Sequence, residues 1–179
     1  MESYELHVAG VVRRLPLRRV GEHLRIASFV MLGDTQLVEA CAEELCKRLP
    51  AGIDYLVCPE AKAIPLTHAM ARRLGLDYIV IRKTVKSYME NPIVADVRSI
   101  TTTAEQHLVM DSSDVVKIYH KKVAVIDDVV STGGSIHAVE SILAKTGCEI
   151  AAKAAPLLEE GGHSGEGIIY LEKLPVFPD

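Results

Sequence analysis

Val123-Ala124-Val125-Ile126-Asp127-Asp128-Val129-Val130-Ser131-Thr132-Gly133-Gly134-Ser135 is the stretch on which the reading of the whole chain turns. Its four leading apolar residues predict a buried strand, two adjacent carboxylates follow at the strand's C-terminal end, and a loop of small residues runs into the amphipathic segment Ile136 to Lys145. Gly133 and Gly134 let the backbone turn tightly and approach a ligand, so that successive N–H groups and the positive end of the next helix converge on an anion. Ser131, Thr132 and Ser135 add hydroxyl donors. Asp127 and Asp128 would repel a phosphate held by that same loop, so they face something else. Vicinal hydroxyls or a hydrated divalent cation are the natural candidates. A ligand with a phosphate at one end and sugar hydroxyls beside it satisfies both halves.

Working outward, helix and strand signals alternate. Asp34 or Thr35 caps a helix with Leu37, Val38, Cys41, Ala42, Leu45, Cys46 and Leu49 on one face, and Pro50-Ala51-Gly52 ends it. Ile53 to Cys58 reads as a strand, Pro59-Glu60-Ala61-Lys62-Ala63 as a loop, and Ile64 to Leu74 as a helix, a second anion-friendly strand–loop–helix. Asp77 to Ile81 is the next strand, and Arg82-Lys83-Thr84-Val85-Lys86 puts three cations just past its end. Periodicity is lost from Ser87 to Thr103, the mark of a functional or mobile loop. Glu105 to Met110 is expected to be a strand hairpinned to the segments Val115–Tyr119 and Lys122–Ile126. Ser135 to Lys145 reads as a helix stopped by Gly147, Glu149 to Leu158 as a strand, 159–167 as a loop, and Ile168 to Leu171 as a last strand. The order β-α-β-β-β-α-β predicts an α/β fold with a mostly parallel central sheet and helices on both faces. Residues 1–33 carry Arg13, Arg14, Arg18, Arg19 and Arg25 with loosely alternating apolar residues, and read as an irregular lid or as edge strands.

At 179 residues the chain reads as one domain, with a core over about 34–160. A hydrophobic content of 49% with a net charge of −4 excludes a disordered chain and argues against a nucleic-acid-coating protein. Without a long apolar run or a basic-then-apolar start, neither membrane nor secretory signal is expected, which points to the cytoplasm. Cys41, Cys46, Cys58 and Cys148 lack C-x-x-C spacing and read as reduced thiols acting as small hydrophobes.

The run from Val123 to Ser135 resembles the phosphoribosyl pyrophosphate (PRPP) signature of the type I phosphoribosyltransferases: hydrophobic strand, two acids, then a Ser/Thr/Gly loop. The resemblance extends over roughly 50–160. It is nearest to the adenine enzymes and the archaeal-type hypoxanthine/guanine enzymes, through Pro-Glu-Ala-Lys-Ala-Ile-Pro-Leu, Ile-Arg-Lys and Val-Ser-Thr-Gly-Gly-Ser. It implies a purine phosphoribosyltransferase, adenine to AMP in the first instance, with hypoxanthine, guanine or xanthine as alternative bases and a non-catalytic PRPP-binding regulator as a further reading. Val130, Ser131, Thr132, Gly133, Gly134 and Ser135 would hold the 5′-phosphate. Ala61, Lys62, Arg82, Lys83 and Lys86 would take the pyrophosphate, with a cis peptide expected at Ala61–Lys62. Catalysis falls to Asp127, Asp128 and Lys83, with Mg²⁺ at Asp127, directly or through water.

The resemblance also implies a hood from 1–33 and 161–179, a flexible loop closing over PRPP, and a homodimer. Arg25, Ile26 and Glu159 are the candidates for the base. Two departures follow from the same alignment. Thr102 falls where the adenine enzymes carry a glutamate acting on the base, leaving Glu105 a weak substitute, and Ser131 replaces the aspartate of the mammalian-type hypoxanthine enzymes. Tyr88 stands where the orotate enzymes follow Lys-x-x-Lys with histidine, which disfavours a pyrimidine.

Overall fold

The computed structural model describes residues 2–98 and 105–178. In chain order the elements are β1 (Ser3–Val8), β2 (Val11–Arg19), β3 (Leu24–Ala27), α1 (Thr35–Arg48), β4 (Tyr55–Pro59), α2 (Ile64–Leu74), β5 (Asp77–Ile81), β6 (Ile93–Arg98), β7 (Glu105–Met110), α3 (Ser112–Ile118), β8 (Lys122–Ile126), β9 (Val129–Val130), α4 (Gly134–Leu143), β10 (Glu149–Glu159), β11 (Ile169–Leu174) and β12 (Val176–Pro178).

The central sheet runs β11-β10-β8-β4-β5, with every neighbouring pair along that path parallel. Chain order therefore reverses between β4 and β8. In an open α/β sheet, the loops leaving two strands at such a switch point diverge and open a crevice at their C-terminal ends. The loop after β4 and the pair Asp127–Asp128 after β8 both open there.

Alternation along the strands sorts the core onto two faces. Leu56 and Cys58 of β4 with Ala124 and Ile126 of β8 join the cluster packed by α1, α2 and the N-terminal strands, through residues such as Leu37, Leu45, Leu66 and Met70. Val57, Val123 and Val125 face the other way, into Ile136, Val139 and Ile142 of α4 and Leu108 and Met110 of β7. Both helices of the first face end or begin as their residues dictate. The Asp34 carboxylate caps α1 by accepting the Leu37 N–H at 3.1 Å. Pro65 sits in the first turn of α2, and Gly75 closes that helix in the left-handed conformation. No helix among the described residues is long and apolar enough to cross a membrane.

The segment read above as an irregular lid or as edge strands supplies β1, β2 and β3, which form an antiparallel sheet with β12 in the order β1-β2-β3-β12. Arg13 on β2 clasps the α1 cap: its Nε and one terminal nitrogen donate to Asp34 at 2.6 and 2.9 Å. That fork joins the small sheet to the central layer.

Three expectations are corrected. The segment Val115–Tyr119 is helical, not a strand, because Ile118 is buried with Val115 packed beside it while Val116 lies 76% exposed, a spacing of three instead of two. Within the stretch expected to be an unpaired loop, Ile93–Arg98 forms β6 and pairs antiparallel with β7, so β7 does not hairpin to the segments after it. The cis peptide lies one bond earlier than expected, at Glu60–Ala61. Thr102 falls outside the described residues.

Candidate active site

Local sequence explains each wall of the crevice. The hydrophobic strand β8 drives its chain end under the helices, so Asp127 and Asp128 emerge buried, at 5% and 8% exposure. The Asp127 N–H still pairs with the Ala154 carbonyl at 3.0 Å, and the Asp128 N–H turns back to the Asp127 carboxylate at 2.9 Å. Burial, reinforced by the charge of Asp128, pushes the Asp127 carboxyl well above the usual aspartate range, against hydrogen bonding from the Asp128 N–H and Ser135. Two buried neighbouring carboxylates favour a cation or a donor-rich ligand.

Gly133 takes φ 85° at the N-cap of α4, a left-handed conformation that opens the Ser131–Ser135 loop. The Gly134 N–H lies 3.4 Å from the Thr132 hydroxyl.

Opposite, the loop after β4 is tied to the end of β5. Glu60 accepts from Arg82 Nε at 2.8 Å and from the Lys83 N–H at 2.6 Å. Burial alone raises the Glu60 carboxyl, but the Lys83 amide and the Arg82 guanidinium outweigh it, and the net shift is downward. Arg82 also donates to the Tyr88 hydroxyl at 3.0 Å, and Lys86 Nζ to the Thr84 hydroxyl at 2.6 Å. The Arg82 guanidinium is thus already engaged by a carboxylate.

Two cavities share one wall. The first, about 230 Å³, is lined by Glu60, Ala61, Lys62, Lys83, Asp127, Asp128 and Ser135 among others. The second, about 280 Å³, is lined by Ile26, Ala27, Ser28, Phe29, Lys62, Asp128, Val129, Ser131, Glu159 and Leu174. Lys62, Asp128 and Val129 belong to both.

Of the residues singled out for a base, Ile26 and Glu159 come together in the second cavity, and burial raises the Glu159 carboxyl. Arg25 does not line it; its guanidinium meets Glu2. Ala27, Ser28 and Phe29 were not foreseen as cavity residues, although they follow Ile26 directly. Glu60 stood in a quoted motif, yet its partner lies 22 positions away and only the sheet order brings the two together.

Fold and site together define an open parallel α/β protein with a glycine-bearing loop and a buried carboxylate pair at its switch point. A family profile described as the phosphoribosyl transferase domain matches residues 32–167, and the chain belongs to that family. It is 35% identical over 115 residues to an adenine phosphoribosyltransferase of Dichelobacter nodosus, an alignment covering 63% of each protein. It is 30% identical over 146 residues to a hypoxanthine/guanine phosphoribosyltransferase of Methanothermobacter marburgensis, covering 78% of this chain and 72% of that one. Several of these relatives, including the first, are matched over less than two thirds of their own length. Among solved structures, the adenine phosphoribosyltransferase of Thermoanaerobacter pseudethanolicus superposes with a TM-score of 0.67 at 22% identity, covering 80% of this chain and 84% of that one. The Giardia lamblia enzyme complexed with 9-deazaadenine also gives 0.67, at 17% identity, covering 80% and 82%. At these identities the likeness is one of fold.

Proposed function

We propose that this protein transfers the 5-phosphoribosyl group of PRPP to a purine base, with adenine as the first acceptor, giving AMP and pyrophosphate. The observation that carries this reading is the pair of cavities joined at Lys62, Asp128 and Val129. A ribose seated at that shared wall has its pyrophosphate on one side and its base on the other.

The roles follow from chemistry at each wall. The amides and hydroxyls of the Ser131–Ser135 loop, with Val130 behind them, hold the 5′-phosphate. Ala61, Lys62, Lys83 and Lys86 meet the pyrophosphate, and Arg82 acts there mainly through Glu60. In the transfer the bond from C1′ to the pyrophosphate oxygen breaks and a bond from C1′ to a ring nitrogen of the base forms. The nitrogen's proton is released. Positive charge builds on the ribose as the leaving group departs, and the Asp127–Asp128 pair, held beneath the sugar, stabilises it.

Mg²⁺ fits the same donor set, because two buried neighbouring carboxylates repel each other until a cation joins them. No cluster of three or more metal-ligating side chains exists among the described residues, so ligand and water oxygens would complete its shell around Asp127 and Asp128. When bound, the ion supplies neutralising charge for the pyrophosphate.

Glu159 lines the base-side cavity, where its carboxyl oxygens can accept from the amino group of adenine or from the ring and amino N–H groups of guanine. A homodimer in the cytoplasm completes the reading; sedimentation of the purified protein tests the first part and localisation of a tagged chain the second.

The experiment is direct: supply Mg²⁺ and PRPP with adenine, hypoxanthine, guanine, xanthine or orotate in turn, and follow nucleotide formation. AMP from adenine supports the proposal. Product from guanine alone moves the base assignment, and binding of PRPP without product from any base replaces the transferase by a PRPP-binding regulator.

A further inference from the structure

The loop after β10 closes on the phosphate cradle through contacts that neither the motif nor the reaction explains. Its start is anchored, the Glu160 N–H donating to the Leu174 carbonyl at 2.9 Å. The His163 N–H then donates to the Ser131 carbonyl at 2.7 Å, the first residue of the cradle. The approach leaves no room for side chains. A Cβ on Gly162 would stand 2.2 Å from the Ser131 oxygen, and one on Gly133 would stand 2.7 Å from Cδ2 of the His163 ring. The imidazole is itself fixed, because its Nδ1 accepts the Gly165 N–H at 2.9 Å. In the neutral ring that bond leaves the proton on Nε2 and sets the plane of the ring against Gly133.

We propose that His163 is a positioning residue for the 5′-phosphate: braced by Gly165 through Nδ1 and seated on Gly133, it holds the Ser131–Gly134 amides in the arrangement that receives the anion. This rests on the assignment of that loop as the phosphate cradle under the proposed function. A loop of small residues with a left-handed glycine has many conformations open to it, and an amide cradle binds well only when its order is established before the ligand arrives. The brace supplies that order from a part of the chain about thirty residues downstream of the motif.

The test compares His163→Ala, His163→Asn and His163→Gln by calorimetric titration with AMP and with ribose 5-phosphate, and by the kinetics of AMP formation. Asn carries an acceptor near the place of Nδ1 and Gln a donor near that of Nε2. For His163→Ala, affinity for both ligands is expected to fall about tenfold and KM for PRPP to rise by a similar factor, with kcat within about threefold of wild type. His163→Asn is expected to recover most of the loss and His163→Gln little of it. Gly162→Ala, whose Cβ forces the two loops apart while retaining the imidazole, is expected to weaken both ligands as well.

Unchanged affinity in His163→Ala overturns the proposal, as does rescue by Gln instead of Asn, which would make the ring a direct phosphate donor. Failure of the wild-type protein to bind AMP, ribose 5-phosphate or PRPP would remove the cradle assignment itself, and is told apart because it needs no variant.

Discussion

Glu60 and Arg82 meet at 2.8 Å across the C-terminal ends of β4 and β5, and the same carboxylate accepts the Lys83 N–H at 2.6 Å. A residue counted from the sequence among the pyrophosphate cations is thereby tied to the loop that would face pyrophosphate. The pair lies partly open to solvent, so it stabilises the fold by only about 1 kcal/mol. The Glu60 carboxyl is held below its ordinary value, so its contribution is whole above that value and is lost as pH falls through the depressed one. Glu60→Gln should therefore melt about 2–4 °C below wild type at pH 7, with the gap closing in acid. Thermal melts from pH 3 to 8 check this; a gap that does not narrow toward acid contradicts it. KM for PRPP should rise in the same variant.

Asp127 is the opposite case. Burial and the neighbouring Asp128 raise its proton affinity, so the folded chain binds that proton more tightly than the unfolded chain does. Its contribution is whole below the ordinary value of 3.8 and fades as pH rises toward the raised one. At pH 7.5 the ligand-free protein carries an unfavourable buried charge. Asp127→Asn should melt about 2–4 °C higher there while transferring phosphoribosyl at least about 100-fold more slowly. A lower melting temperature at pH 7.5, or an unchanged rate, would count against the role given to this residue.

Glu159 should act on the base alone. Glu159→Ala is expected to raise KM for adenine about 10- to 100-fold and leave KM for PRPP within about twofold. Glu159→Gln keeps an acceptor oxygen in place and should lose less with adenine than Glu159→Ala. Initial rates with each substrate varied in turn provide the measurement, and an equal effect on both KM values would place the residue elsewhere.

The cysteines offer a probe of the core beneath the site. Burial pushes the Cys41 and Cys58 thiols up to about 12, which leaves almost no thiolate at neutral pH. Cys46 and Cys148 are only half-buried. Iodoacetamide at pH 7.5 should label Cys46 and Cys148 first, with Cys41 and Cys58 reacting at least about 100-fold more slowly until the chain unfolds. Mass mapping of the labelled peptides reads this out; early labelling of Cys58 would mean that β4 opens in the native state.

The signature from Val123 to Ser135 was legible because everything it needs is local: a hydrophobic run, two acids, glycines free to turn and a helix to follow. The N-cap at Asp34 and the buried stripe of α1 were legible for the same reason, since caps and helical faces are set within a few residues. Reading failed where local pattern was ambiguous. Val115–Tyr119 was expected to pair with the strand before it, but burial of Ile118 three positions after Val115 is decided by what α3 packs against.

Only the tertiary structure decided that β8 lies beside β4, so that two loops sixty-odd residues apart share one crevice. It also decided that β12 completes the N-terminal sheet, that Glu60 takes Arg82, and that His163 rests on Gly133. Periodicity reports which side of a residue is buried but not its neighbour, because the energy of a long-range pairing depends on strand order, register and loop closure together. The candidate site was written in one stretch of sequence, and the geometry that surrounds that stretch came from the rest of the fold.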